Sequence, residues 1–170
     1  KDILIHPVVQ TPDGKRMSKS KGNAIDPIDM INKYGADASR MWYASVGVFG
    51  NQDVRFPGRK DKKEGWLSDT FEQYRKFANK LYNAAKFVSL QLGDDFKATE
   101  IENLDTSKFN GFDKWILAKM HVLIRDAKIY YDNYRVDQFM KAFDGFIEDL
   151  SNWYIRRNRR RFWKSDDGDD

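Results

Sequence analysis

Apolar residues follow one rhythm in the first third of the chain and another beyond it. The run Ile3-Leu4-Ile5-His6-Pro7-Val8-Val9 predicts a short buried strand, with Pro7 restricting it to an edge or a strand end because proline donates no backbone hydrogen bond. Thr11-Pro12-Asp13-Gly14 predicts a turn, since proline fixes φ early and glycine supplies a positive φ late. Residues 15–23 are polar with no apolar period and predict a loop. A helix start follows, with Asp26 as N-cap, Pro27 at the first helical position and Asp29 adding negative charge to the first turn. Ile28, Ile31 and Tyr34 predict its apolar face and Gly35 its stop. Asp37 is expected to cap a second short helix carrying Ala38, Met41, Trp42 and Ser45.

Gly47, Gly50, Gly58 and Gly65, with the charged run Arg59–Glu64 between the last two, predict a boundary. Beyond it the period becomes helical. Leu67, Phe71, Tyr74, Ala78, Leu81, Ala85, Val88 and Leu92 recur at alternating spacings of four and three, an apolar stripe on a helix of about seven turns. Gly93-Asp94-Asp95 is expected to end it, and residues 94–111 read as loop. Phe112, Ile116, Met120, Leu123, Ala127, Tyr130 and Tyr134 predict a second long helix. Val136, Phe139, Phe143, Phe146, Leu150 and Trp153 predict a third, with Trp153 in the core. The expected fold is mainly α: a short N-terminal strand, a polar loop and small helices, then an antiparallel bundle of long helices. The expected division is residues 1–58, residues 59–163 and an acidic tail, 164–170.

Composition narrows the chemistry. The 170 residues hold 12 Phe, 8 Tyr and 5 Trp, too aromatic for a chain disordered throughout. The absence of cysteine excludes disulfides, thiol nucleophiles and Cys-based metal sites, and fits a reducing compartment such as the cytoplasm. His6 and His121 are far apart, which excludes a multi-histidine metal site, and both are expected to be structural or exposed. No apolar run reaches the roughly 18–20 residues a membrane helix needs. A start at Lys1-Asp2-Ile3 and an end at Asp169-Asp170 suggest a segment of something longer. Net charge is only +4, so its placement matters more than its sum.

Two places concentrate positive charge. The loop Lys15-Arg16-Met17-Ser18-Lys19-Ser20-Lys21-Gly22-Asn23 holds four cations and two hydroxyls without an acid. Such a loop suits a phosphate clamp: an ammonium ~4 Å from a phosphate charge gains about 4 kcal/mol at an effective dielectric near 20. Delivered as charge develops in a transition state, that gain raises rate. It is not a Walker loop, because G-x-x-x-x-G-K-[ST] is absent.

The second concentration is Arg156, Arg157, Arg159, Arg160, Arg161 and Lys164. One or two cations would complement a helix C-terminus; six exceed that need. At 100° per residue Arg157 and Arg161 continue the face of Phe143, Phe146, Leu150 and Trp153. The helix is therefore expected to outrun its partners and offer arginines to a polyanion, nucleic-acid backbone being the natural one.

Arg16-Met17-Ser18-Lys19-Ser20 resembles the KMSKS signature of class I aminoacyl-tRNA synthetases, with Arg at the first position in place of the usual Lys. Gly22-Asn23, Asp26-Pro27 and Tyr34-Gly35-Ala36-Asp37-Ala38-x-Arg40 continue the likeness, and residues Asp149–Trp163 look like the isoleucyl branch. The resemblance implies that residues 1–58 end a catalytic core and residues 59–163 begin a helical tRNA-binding, anticodon-binding domain. It implies ATP, with Mg²⁺, as substrate at Arg16, Met17, Ser18, Lys19 and Ser20, with Lys19 and Arg16 acting in catalysis as pyrophosphate leaves. It implies tRNA as partner of Trp153, Arg156, Arg157, Arg160, Arg161 and Lys164. No metal ligand in the chain is implied. The family's other ATP signature, HIGH, does not occur in the chain, so an upstream nucleotide-binding half is the expected further partner and the segment alone is expected to be inactive. The valyl, leucyl and methionyl branches, or a stand-alone helical RNA-binding module, are the alternatives.

Overall fold

The structure, a computed structural model, describes residues 3–47, 53–92, 95–100, 103 and 105–163. In chain order the elements are β1 (Val9–Gln10), α1 (Pro27–Tyr34), α2 (Ala36–Val46), β2 (Val54–Arg55), β3 (Arg59–Asp61), β4 (Gly65–Leu67) and α3 (Asp69–Ser89). A 3₁₀ turn (Thr106–Lys108), α4 (Gly111–Asp132), α5 (Val136–Glu148), a π-helical stretch (Asp149–Ile155) and α6 (Arg159–Trp163) follow. The fold is mainly α, as expected. Two compact units divide it: Lys1–Asn79 with Lys128–Lys141, and Lys80–Ala127 with Ala142–Asp170.

In the first unit an aromatic cluster forms the core. Met30, Tyr34, Trp42, Phe56 and Phe71 are each less than a tenth exposed, and the Trp42 ring lies 5.1 Å from Phe71 and 5.9 Å from Phe56. Each such burial contributes on the order of 1.5–3 kcal/mol. The expected cap is present: Ile28 N donates to Asp26 Oδ1 at 2.9 Å, with Pro27 behind it. The expected face of α1 is kept in part: Tyr34 is buried and Ile31 half-buried. Met30 joins Tyr34 in the cluster, and Ile28 is exposed. Asp37 lies in the first turn of α2, and Gly35, at φ 92°, occupies the cap position without a side-chain bond.

The N-terminal strand is shorter than its apolar run predicts. Only Val9–Gln10 pairs, in parallel with Val54–Arg55, and Ile3 and Ile5 are almost fully exposed. The apolar run therefore has no neighbouring strand to cover it among the described residues. The charged run Arg59–Glu64 folds as part of the antiparallel hairpin β3–β4, closed by Asp61 Oδ1, which accepts from Lys63 N and Glu64 N at 2.7 and 2.9 Å. Its base meets the core through Trp66 and Phe56, 5.7 Å apart. Ser68 caps α3 by accepting from Phe71 N at 3.3 Å, while its hydroxyl donates to Pro57 O.

The second unit holds parts of the three long helices expected to form an antiparallel bundle. Lys80 pairs with Glu148, and Phe87 meets Phe162 at 5.5 Å, so α3 runs parallel to the C-terminal helical stretch. Lys119 pairs with Asp149, while Asp113 bonds to Tyr154 and Arg161, so α4 runs antiparallel to that stretch. Ile116 and Ile147 are buried between them. The third helix does not keep one period. Asp149–Ile155 winds as a π-helix, so a 100° wheel drifts beyond Glu148. Trp153, expected in the core, is half exposed for this reason. Gly93 and Asp94 of the predicted stop, and the acidic tail 164–170, lie outside the described residues.

Candidate functional site

Backbone hydrogen bonds hold the cationic loop at its base and leave its cations outward. Thr11 N donates to Lys15 O at 2.9 Å, and Gly14, at φ 79°, donates to Thr11 O at 2.8 Å. Gln10 bridges Arg16. Asn23 then draws the two limbs together, because its amide donates to Arg16 O at 3.2 Å and accepts from Ser18 N at 2.8 Å. At the tip, Lys21 N and Gly22 N return to Ser18 O and Lys19 O, a tight turn that Gly22 completes at φ 62°. Met17 packs on the core cluster and anchors the loop. Ser18 and Ser20 share a hydrogen bond of 2.7 Å.

Among the described residues Arg16, Lys19 and Lys21 form no ion pair, whereas Lys15 is 2.7 Å from Asp13. The Lys15 ammonium and the Thr11 hydroxyl hold the Asp13 carboxyl down at about 2. The loop thus spends one cation on its own turn and leaves three without an ion pair among the described residues, while its two hydroxyls bond to each other. Among the described residues no cluster of three or more His, Cys, Asp and Glu could hold a metal.

The arginine run is sorted by its neighbours. Arg161 turns inward, donating to both oxygens of buried Asp113 at 2.8 and 3.0 Å. The expectation that Arg161 is offered outward is corrected by this carboxylate one helix away. Asp113 also accepts from Tyr154 OH at 2.8 Å and, at the third position of α4, from Asn110 N at 3.0 Å. Asn110 Oδ1 accepts in turn from Asp113 N at 3.0 Å, a reciprocal cap. Arg161 holds the Asp113 carboxyl below its usual range, and burial followed by the Asp113 bond pushes the Tyr154 hydroxyl up to about 12.

Arg157 lies 5.0 Å from the Trp153 ring and 5.9 Å from the Phe112 ring, a cation–π contact. Arg159 lies over Phe87 at 5.6 Å. Arg156 and Arg160 are exposed and form no ion pair among the described residues. Trp153, Arg156 and Arg157 therefore share one surface, and Arg161 does not join them. Lys164 lies outside the described residues. Asp113 and Asn23 carry the geometry of both places; the sequence reading named Asn23 only as a member of the loop and did not single out Asp113. Only the Asn110-x-x-Asp113 capping spacing could have marked Asp113.

Three comparisons bear on this geometry. Residues 1–56 match the family model described as tRNA synthetases class I (I, L, M and V), and residues 113–170 match the anticodon-binding domain of tRNA ligase. The chain is 39% identical over 153 residues to the isoleucine–tRNA ligase of Clostridium tetani, covering 90% of this chain and 14% of that protein. It is 35% identical over 170 residues to the valine–tRNA ligase of a Synechocystis species, covering 99% of this chain and 18% of that one. Among solved structures, a leucyl-tRNA synthetase from Agrobacterium radiobacter K84, in a ternary complex with tRNA and LeuAMS, superposes with a TM-score of 0.64. At 13% identity over 92% of this chain and 18% of that one, it shares the fold.

Proposed function

The chain belongs to the class I aminoacyl-tRNA synthetases, and from that membership we propose that it is a segment of an isoleucine–tRNA ligase. The parent reaction is ATP-dependent activation of isoleucine as an adenylate, followed by transfer to tRNA. The chain spans less than a fifth of the length of the curated relatives described above, so the upstream nucleotide-binding half belongs to the proposal. Residues 1–58 supply the end of the catalytic core, residues 59–163 the start of the tRNA-binding helices, and residues 164–170 an acidic tail. The segment alone is inactive, because positioning by both halves makes the rate. Its setting is the cytoplasm.

One observation carries the reading: the KMSKS-type loop presents Lys19 and Arg16 without counter-ions among the described residues, on a base pinned by Asn23. Family members use ATP with Mg²⁺. Here Lys19 neutralises charge on the departing pyrophosphate, Arg16 assists, and the Ser18 and Ser20 hydroxyls and the backbone around Met17 complete the contact. Mg²⁺ arrives with the nucleotide. Trp153, Arg156, Arg157 and Arg160 form the tRNA surface, and Arg161 holds their helix in place. A valine–tRNA ligase is the second reading, favoured by relatives at 34–36% identity over nearly the whole chain. ATP–pyrophosphate exchange by the full-length parent, driven separately by isoleucine, valine, leucine and methionine, decides. Isoleucine should drive it fastest, and faster exchange with valine would replace the first reading by the second.

A further inference from the structure

Around β2 the run Asp53-Val54-Arg55-Phe56 alternates polar and apolar, the period-two pattern of a strand with one covered face. Val54 packs on the aromatic cluster and Phe56 is buried in it. Asp53 and Arg55 fall on the other face, and both meet the base of the cationic loop. Asp53 Oδ1 accepts from Val8 N at 3.1 Å, and its Oδ2 accepts from Gln10 Nε2 at 2.7 Å. Gln10 is thereby held from three directions: its side chain by Asp53, its carbonyl by Phe56 N at 2.9 Å, and its backbone by the antiparallel bridge to Arg16. Arg55 lies against the turn that opens the loop, where a Cβ on Gly14 would stand 3.2 Å from its Nε and 3.4 Å from its Cζ.

We propose that Asp53 and Arg55 are positioning residues for the cationic loop, tying the limb that carries Arg16 and Lys19 through β2 to the aromatic core. The inference rests on the catalytic reading of that loop and adds what fixes its place. Bonds within the loop, at Thr11, Ser18 and Asn23, set its shape but not where that shape stands. Met17 gives it one tie to the core, and β2 gives the other. The β1–β2 ladder pairs only two residues from each strand, in the parallel arrangement that is the less stable per residue. A carboxylate accepting two bonds at the start of β1 is therefore a large share of what holds it. An ammonium misplaced by about 1 Å can lose about 10²-fold in rate, which is the scale on which a loosened base acts.

The test places Asp53→Ala in the full-length parent and in its Lys19→Ala variant, and measures ATP–pyrophosphate exchange. In the parent it should lower kcat by about 10- to 100-fold and leave the KM for ATP nearly unchanged. In the Lys19→Ala background it should lower kcat by less than about 3-fold, because the ammonium it places is already gone. Amide hydrogen exchange across residues 8–23 should quicken in Asp53→Ala while α1 and α2 keep their protection. Arg55→Ala should show the same pattern at a smaller size. If Asp53→Ala does not fold, Asp53→Asn, which keeps one of the two acceptors, carries the same comparison. Equal losses in both backgrounds would make Asp53 a support of the fold alone and overturn the inference, as would unchanged amide exchange at the loop. A raised KM for ATP with kcat unchanged in Arg55→Ala would make Arg55 a nucleotide contact and overturn its assignment. Parental kcat in Asp53→Ala and Arg55→Ala beside a slow Lys19→Ala overturns the inference and leaves the catalytic reading of the loop standing. A parental rate in Lys19→Ala overturns that reading, and this inference with it.

Discussion

Replacing Asp113 by Asn tests how the arginine surface is held. The change keeps size and one acceptor but removes the charge that binds Arg161 through two bonds and Tyr154 through one. Hydrogen bonds to a charged group contribute roughly 1.5–3 kcal/mol, while exposed ion pairs contribute about 0.2–1. The site lies between these limits, because the Asp113 side chain is 8% exposed and that of Arg161 53%. A loss of about 2 kcal/mol follows, which for a chain of this size lowers the melting midpoint by about 4–8 °C. Asp113→Ala should cost about 1 kcal/mol more, since Asn110 N also loses its acceptor. Thermal unfolding followed by circular dichroism at pH 7 reads both. The sign of the pH dependence is fixed. The folded carboxyl titrates below its ordinary 3.8, so its contribution is complete above that pH and disappears as pH falls through the folded value. The parent chain and Asp113→Asn should therefore converge in strong acid. Midpoints within 1 °C of each other at pH 7 would refute the reasoning.

Two further outcomes follow. Gln at Arg156, Arg157 and Arg160 should flatten the salt dependence of tRNA binding by up to about 0.9 per lost phosphate contact, read from log affinity against log salt; an unchanged slope would remove those residues from the interface. Gly58→Ala should destabilise the first unit by more than about 2 kcal/mol in urea, because the new Cβ would stand 2.6 Å from Leu67 O and against the Phe56 ring.

Helices were legible where one local signal acts alone. Asp26 and Pro27 cap and start α1 by chemistry that needs no tertiary partner, and the stripes of α3 and α4 mark the helices, although only Phe71 and Ile116 of them are buried. Burial of individual residues was less legible, because it depends on what stands opposite: Ile3, Ile5 and Ile28 have the same composition signal as core residues and lie exposed. The hairpin β3–β4 was invisible because Arg59-Lys60-Asp61 has no apolar alternation, its strands being held by backbone pairing and the Asp61 turn. Trp153 was misplaced because a π-helix breaks the assumed period without a glycine or proline to announce it. Of the candidate sites, the cationic loop was readable from residue types alone, and the arginine surface only in part. Which arginines are free was decided by Asp113, 48 residues away from Arg161.

The most direct measurement is ATP–pyrophosphate exchange by the full-length parent carrying Lys19→Ala, with circular dichroism to confirm its fold. If Lys19 meets charge only as pyrophosphate departs, as proposed, its loss should lower kcat by about 10²-fold or more and leave the KM for ATP nearly unchanged. An unaltered exchange rate would contradict the assignment of the loop.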